Sequence, residues 1–416
     1  MAAALFLVPG VARGQAPPAG TAEPTLDDTI EAGESEAEEP RRQLVRWNQY
    51  EGPFFTIRVG AGALYEGAAY GQDEESKQQF ALAADSKFRD TRLLLKGRFP
   101  KFDREVTWTS GIMYDGPTGE WFMRETGVMI AVPEIWGHVF IGRTKEGFSL
   151  NKVMNGYSGW TMERTMMNDV IPILADGVKW LGYLPEHHFL WNLGFFNDWL
   201  SEGQGFSTYD KQAVARLAWL PLASESSGEL VHLGVSLRYG EPEGGKLRLR
   251  SRPETYPAPY FVDTGSFPAD HTKTIGVEGY YRSGPWLFGT EYIFHDTSPK
   301  QGRDSLFHGG EVVVSWNITG ETRGYNTRGG FFKAVSPEQT VFEGGPGAWE
   351  AVLRLSYIDL DDEGIQGGKF WRITPMMNWH LSDNARLEFA YGYGTLDRFD
   401  LEGGTHFFQS RIQLQF

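Results

Sequence analysis

Lys246, Arg248, Arg250 and Arg252 alternate with Leu247, Leu249 and Ser251. Successive side chains of an extended chain point to opposite faces, so the four cations share one face and the leucines take the other. Neighbours on one face stand about 7 Å apart. A guanidinium is a planar fork of N–H donors that matches the oxygens of an oxyanion and does not lose its charge. A row of such groups can replace an anion's hydration in several weak steps, each permitting both arrival and departure. That is chemistry of guided diffusion rather than of bond making. If the leucines face lipid, the bases form a ladder down a lumen. The opposite orientation would cost about 2–4 kcal/mol per cation near a bilayer midplane.

The same parity argument selects further inward bases. Arg92, Lys96 and Arg98 alternate with Leu93, Leu95 and Gly97, Arg216 lies between Ala215 and Leu217, and Arg238 between Leu237 and Tyr239. Arg354, Arg386 and Arg411 stand opposite apolar neighbours in the last third of the chain. The segment Lys145–Val170 breaks the alternation, so Arg143 and Lys145 at its start and Arg164 within it are candidate bases at a constriction. Long connections without regular structure are usually functional; this one is expected to fold inward, the alternative being an external cap. Lumenal bases have a second use, bracing the wall against acids on neighbouring strands. Glu350 with Arg354, Glu388 with Arg386 and Glu278 with Arg282 read as such braces.

The elements that must position these residues read as strands. Thr405 to Phe416 alternates strictly, with His406, Phe408, Ser410, Ile412, Leu414 and Phe416 on one face and Gln409, Arg411, Gln413 and Gln415 on the other. Its length fits a tilted transmembrane strand of roughly 9–11 residues. Ala348–Asp359 places Trp349, Ala351, Leu353, Leu355 and Tyr357 together, and Ala385–Asp397 does the same with Leu387, Phe389, Tyr391 and Tyr393. Aromatics at the ends of apolar stripes fit interfacial girdles. Eighteen such runs are recognisable between Phe54 and Phe416, among them Phe122–Val132, Lys246–Arg252 and Gly329–Val335. Division of the length by roughly 23 residues per strand and connection gives about 16 strands, with 14 or 18 also compatible. The expected fold is all-β, a transmembrane antiparallel β-barrel over residues 46–416 with a long inward loop.

Composition agrees. Gly is 51 of 416 residues and aromatics are 14%, while no apolar run reaches the roughly 18 residues of a membrane helix. There is no cysteine, which excludes disulfides, thiol nucleophiles and Cys-based metal sites. Eight carboxylates in residues 21–40 make up more than half of the net charge of −15. Residues 1–16 read as a signal peptide with a short n-region, cut after Ala16, and 17–45 as a disordered Pro-rich and acidic periplasmic tail. G-x-S-x-G, H-E-x-x-H and P-loop motifs are absent, so no enzyme, cofactor or metal is expected. The acids Asp359, Asp361, Asp362 and Glu363 could hold a hard cation but read better as a solvated loop. No basic face with interleaved aromatics suits nucleic acid.

Several motifs occur in order: Arg252-Pro253-Glu254, Asp263-Thr264-Gly265, Arg323-Gly324-Tyr325, Gly329-Gly330-Phe331-Phe332, Gly344-Gly345-Pro346-Gly347, Ile365-Gln366-Gly367-Gly368 and Asn384-Ala385-Arg386. Together with the final strand they resemble the phosphate-selective porin O and P family, closely over 250–416 and more loosely over 90–250. The resemblance implies a 16-stranded anion-preferring outer-membrane barrel, usually a homotrimer, with inorganic phosphate or another small anion as its solute. A terminal aromatic on the lipid face further implies recognition by the barrel-assembly machinery. Two rivals remain: a channel for carboxylates or oligosaccharides, with Trp121, Trp160 or Trp180 as an aromatic track, and an outer-membrane barrel enzyme.

Overall fold

A computed structural model describes residues 48–115, 119–200, 209–224, 227–298, 303–362 and 364–416; the signal-peptide and acidic-tail readings, and Glu363, lie outside them. The chain forms sixteen antiparallel strands, each paired with the next. They are β1 (Thr56–Gln72), β2 (Asp85–Arg98), β3 (Val106–Asp115), β4 (Glu120–Met123 and Thr126–Val132), β5 (Gly137–Thr144), β6 (Ala175–Leu184), β7 (Phe189–Asn197) and β8 (Tyr209–Ser224). The second half comprises β9 (Glu229–Pro242), β10 (His271–Ser283), β11 (Trp286–Ser298), β12 (Ser305–Asn317), β13 (Ala348–Asp362), β14 (Ile365–Ser382), β15 (Ala385–Arg398) and β16 (Leu401–Gln415). Pairing of β1 with β16, from Gly62↔Gln415 to Gln72↔Thr405, closes the barrel. The short segment Gln49–Glu51 extends the edge of β1 beyond Phe416. Closure removes every free strand edge, which a bilayer would not tolerate.

The alternation is inside out. On β13, Leu353 and Leu355 are each 49% exposed while Arg354 between them is 2% exposed. A polar side chain is thus sequestered and an apolar one left outside, the sign expected when the outer solvent is lipid. The stacked pairs Trp286–Trp316 and Trp349–Trp379, with centroids 5.1 and 4.8 Å apart, mark one belt. Tyr393–His406 and Tyr292–His308 lie further along the strands, toward the other end. Amphipathic rings at both ends fit two membrane interfaces.

Two of the eighteen sequence runs are not barrel strands. Lys246–Arg252 lies in the connection from β9 to β10, where Lys246–Leu247 pairs with Phe267–Pro268 and Arg250–Ser251 with Val262–Asp263. Gly329–Val335 lies in the connection from β12 to β13, with Tyr325–Asn326 paired to Phe331–Phe332. Both alternate because one face packs on protein inside the barrel, and a period of two does not distinguish that core from lipid. The run 122–132 is a single strand position interrupted at Arg124-Glu125, both halves pairing with β3.

Three segments fill much of the interior: 145–174 and 243–270 from one end, and 318–347 from the end that carries the short turns. The first two share a core in which Phe148, Met166, Met167 and Ile171 meet Leu247, Leu249, Phe261 and Val262. The first and third meet through Met154, Trp160 and Met162 against Phe331 and Phe332. Each such side chain, fully buried, contributes roughly 1.5–3 kcal/mol, enough to hold loops across a lumen.

Candidate functional site

Apart from the short helical turns Leu150–Val153 and Met166–Val170, the segment 145–174 runs as irregular backbone through the barrel, so its carbonyls need partners. The wall supplies them almost residue by residue. Gln413 Nε2 donates to Tyr157 O at 2.9 Å, Arg386 Nη1 to Gly159 O at 2.6 Å, Asn378 Nδ2 to Trp160 O at 2.9 Å and Arg354 Nη1 to Glu163 O at 2.8 Å. Arg411 donates to Met162 O. Arg323, from the segment entering at the other end, reaches Ser158 O at 2.8 Å.

The other flank of the loop is held by carboxylates. Glu278, Glu291 and Glu311 stand side by side on β10, β11 and β12. The N–H groups that open the short turn Leu150–Val153 point at them: Leu150 N to Glu278 at 2.5 Å and Asn151 N to Glu291 at 2.7 Å. Asn151 Nδ2 reaches Glu311 at 2.6 Å, and Ser149 Oγ also donates to Glu291. Unpaired N–H groups at the start of a helical turn attract negative charge, so this row latches the loop to the wall.

These contacts assign the wall arginines. Arg216, Arg238, Arg354, Arg386 and Arg411 all project inward, as parity requires, and all are buried. Arg216 pairs with Glu278 at 2.6 Å, Arg238 with Glu146 at 2.9 Å, Arg386 with Glu388 at 3.0 Å, and Arg354 with Glu254 at 2.6 Å and Glu311 at 3.4 Å. The expected Glu388–Arg386 brace is present. Glu350 instead pairs with Arg323 at 2.6 Å and His380 at 3.1 Å, and Arg282 donates to the carbonyls of Gly228 and Arg323. The inward segments bring charges to Glu350 and Arg354 that strand parity cannot foresee. Arg143 is fully buried against Asp176 at 3.1 Å and Met123 O at 3.0 Å and does not line the cavity at the loop. Lys96 and Arg98 follow Arg92 along β2 toward the short-turn end, Arg98 exposed.

A narrow space of ≈ 50 Å³ lies between the loop and β1, β2 and β16. Arg89, Arg92 and Arg411 line it from the wall, and Asn155, Gly156, Glu163 and Arg164 from the loop. Arg89 reaches it through a bulge: Leu64 pairs with Asp90 and Tyr65 with Phe88, leaving Arg89 as the extra residue. It forks onto Glu163, Nε to Oε1 at 2.9 Å and Nη2 to Oε2 at 3.2 Å. Arg92 contacts Asp90 and lies over the Tyr157 ring at 4.5 Å. Arg124, from the break in β4, sits 3.3 Å from Glu125.

Two cations here lack a carboxylate at ion-pair distance among the described residues. Arg164 donates to Asn151 O and Met154 O, each at 2.9 Å, and Lys145 Nζ to Met154 O at 2.8 Å. Burial, and then Arg164 beside it, holds the Lys145 ammonium well below the ordinary lysine range. Burial and the neighbouring Arg124 lower Arg164 to about 10. Glu163 is desolvated too, but Arg89 and Arg411 outweigh this and hold it at about 2. A cavity lined by Arg89, Arg92, Arg164 and Arg411 against Asp90 and Glu163, with Arg164 satisfied only by neutral carbonyls, favours an anion.

A cationic track leads toward it from the 243–270 segment. Arg248 pairs with Asp263 at 2.5 Å. Arg250 lies over Tyr260 at 4.1 Å, and Arg252 over Tyr260 at 4.4 Å and Tyr256 at 5.4 Å. Arg89 covers Tyr256 at 4.6 Å, joining the track to the constriction. Lys246, Arg248 and Arg250 are exposed while Leu247 and Leu249 are buried. The shared basic face of the sequence reading therefore exists, but its apolar face packs on protein rather than lipid. The tryptophans form no track: Trp160 is enclosed by Tyr280 and Phe332, and Trp121 is exposed. Among the described residues no group of three His, Asp or Glu is arranged to hold a metal ion.

Phosphate-selective porin O and P is the family whose sequence pattern matches residues 65–416. Porin O of Pseudomonas aeruginosa is 22% identical over 226 residues, 47% of this chain and 50% of that protein. An uncharacterised protein of Caulobacter vibrioides is 30% identical over 171 residues, 40% of this chain and 34% of that protein. The matches thus span a third to a half of these relatives. Among solved structures, a loop-deletion mutant of OmpT, an outer membrane protein of Vibrio cholerae, superposes with a TM-score of 0.57 at 12% identity, covering 87% of this chain and 99% of that one. The anion-selective porin from Comamonas acidovorans gives 0.53 at 12% identity over 87% and 100%. The channel DcaP of Acinetobacter baumannii gives 0.55 at 10% over 87% and 98%.

Proposed function

The chain belongs to the phosphate-selective porin O and P family, and from that premise we propose that this integral outer-membrane channel passes anions by passive diffusion, phosphate first among them. The observation that carries the reading is Arg164, which lines the constriction with no described carboxylate at ion-pair distance, backed by Lys145 behind it on Met154 O. An anion moves along Arg248, Arg250 and Arg252, exchanging water for guanidinium N–H groups. It reaches Arg89 and then Arg92, Arg164 and Lys145, and leaves past Lys96 and Arg98. Arg216, Arg238, Arg354 and Arg386 serve the same path indirectly by fixing the loop, while Arg411 both holds Met162 O and lines the constriction. Several weak charge-assisted contacts in series permit both binding and release. The reading includes no catalytic step and no cofactor. Assembly as a homotrimer and recognition of the last strand by the barrel-assembly machinery belong to the same proposal.

Reversal potential in planar bilayers under a KCl gradient tests it, followed by block of the chloride current with added phosphate. Anion selectivity with phosphate block is expected. Cation selectivity would refute the reading and leave only the barrel.

A further inference from the structure

The Arg89 guanidinium and the Arg411 guanidinium converge on one point, and that point is taken by the chain itself. Glu163 accepts both donors of the Arg89 fork, at 2.9 and 3.2 Å, and a donor from Arg411. This is the geometry in which two arginines hold an oxyanion. Glu163 lines the open space and its side chain keeps 19% exposure, against 0–3% for the bracing pairs of the wall. It is therefore reachable from water. Its main chain is anchored independently of its carboxylate, by Arg354 on the carbonyl at 2.8 Å and Thr161 Oγ1 at 2.9 Å. The side chain can swing away without releasing the loop. Arg164, the adjacent residue, faces the same space.

We propose that Glu163 is a tethered counter-anion seated in the guanidinium site of Arg89 and Arg411, and that it makes the constriction selective for multivalent oxyanions, which can displace it. The inference rests on the anion-channel reading above. A permeating ion must compete with a carboxylate held next to the site by its own backbone. Chloride carries one charge and cannot engage a planar fork with two oxygens, so it passes without displacing Glu163. A phosphate or other polyvalent oxyanion offers two charges and several oxygens, and takes the fork while Glu163 swings out. Arg92, Arg164 and Lys145 then share the added charge. The same competition lets the bound ion leave, because Glu163 returns as it departs. Affinity is thus reduced by the fraction of time the site is vacant. A carboxylate seated about nine-tenths of the time lowers apparent affinity about tenfold.

The test compares the full-length chain with Glu163→Gln in planar bilayers, reading the phosphate concentration that halves the chloride current and the KCl concentration at which current saturates. Neutralising the tether is expected to lower the half-blocking phosphate concentration at least tenfold and to bring chloride saturation to lower KCl. Glu163→Asp, which keeps the charge but shortens its reach by one methylene, is expected to move both in the same direction by less. It serves as the reading if the Gln variant does not fold. Adding Arg89→Gln to Glu163→Gln should abolish the gain. Values within twofold of the parent in both Glu163 variants would overturn the inference, as would a gain that survives loss of Arg89. Either result with an anion-selective parent leaves the anion-channel reading standing, whereas a cation-selective parent removes that reading directly.

Discussion

Replacement of Arg164 by Gln isolates the group on which selectivity depends most. Arg164 leaves the loop toward the open space and spends its hydrogen bonds on two neutral carbonyls, Asn151 O and Met154 O. No described carboxylate at ion-pair distance cancels its charge. An oxyanion about 4 Å away gains about 1 kcal/mol from it in bulk water and about 4 kcal/mol at an effective dielectric of about 20. The constriction is narrow, and Arg89, Arg92 and Lys145 remain to share the load. The lower half of that range, about 1–2 kcal/mol, is therefore expected, or about a 5- to 30-fold weaker phosphate block. Arg164→Lys keeps the charge while losing the fork, and should retain block within about threefold. Chloride current across planar bilayers, titrated with phosphate, reads all three proteins. A Gln variant whose half-blocking concentration stays within twofold of the parent, at unchanged conductance, would refute the assignment. It would mean that anions pass on another side of the loop.

Three further outcomes follow from the geometry. Lys145 is charged below its lowered pKa and loses its charge as pH rises through that value, so anion selectivity should fall as pH rises and be lost before the ordinary lysine range is reached; Lys145→Gln should flatten that fall in a reversal-potential series. Lys152, held down to about 7 chiefly by burial, faces Glu146 at 3.9 Å, so Lys152→Gln should leave most of the fall in place. Glu291→Ala removes the acceptor of Ser149 Oγ, Asn151 N and the Tyr280 hydroxyl, leaving donors that cost about 1–3 kcal/mol each if buried unpaired; a larger and noisier single-channel conductance is expected, and an unchanged one would show that the carboxylate row is not the latch. Leu353→Arg puts a charge on the outer face of β13 and should cost about 2–4 kcal/mol, measured as lost refolding into lipid vesicles, whereas an equal yield would place that face out of lipid.

The strands were legible because one apolar and one polar face impose a period of two, and the number of such runs together with the aromatic at the end of the last one gave the sign, lipid outside and polar groups inside. Sixteen of the eighteen alternating runs are barrel strands. Lys246–Arg252 and Gly329–Val335 alternate equally well, since Leu247 and Leu249, or Phe331 and Phe332, bury against protein. Parity correctly turned Arg92, Arg216, Arg238, Arg354, Arg386 and Arg411 inward. It was silent on what each would meet there, because the partners Glu66, Glu146, Glu254 and Glu311 are remote in sequence or arrive on inward loops. Arg89 was hidden for a local reason: a single bulged residue shifts the register and points it inward. Arg124 was hidden by the break in β4, and Glu163 by the 74 residues that separate it from Arg89. The irregular run 145–170, a failure of periodicity, was the best pointer to the constriction.

The distribution of charge pairs explains how so acidic a chain can hold a cationic path. A field at the constriction comes from groups that are uncancelled and close, because exposed charges beyond a Debye length of about 8–10 Å are screened. The wall arginines are neutralised where they stand: Arg216 by Glu278, Arg238 by Glu146, Arg354 by Glu254 and Glu311, Arg386 by Glu388. Such pairs fix the loop yet add little net potential. Arg250 and Arg252 are backed by tyrosine rings, and Arg164 and Lys145 by peptide carbonyls. Neither kind of partner removes a full charge. The four cations therefore act on a passing ion out of proportion to their number. Substituting a braced arginine should then change loop position before it changes selectivity, whereas substituting Arg164 or Lys145 should change selectivity with the loop in place.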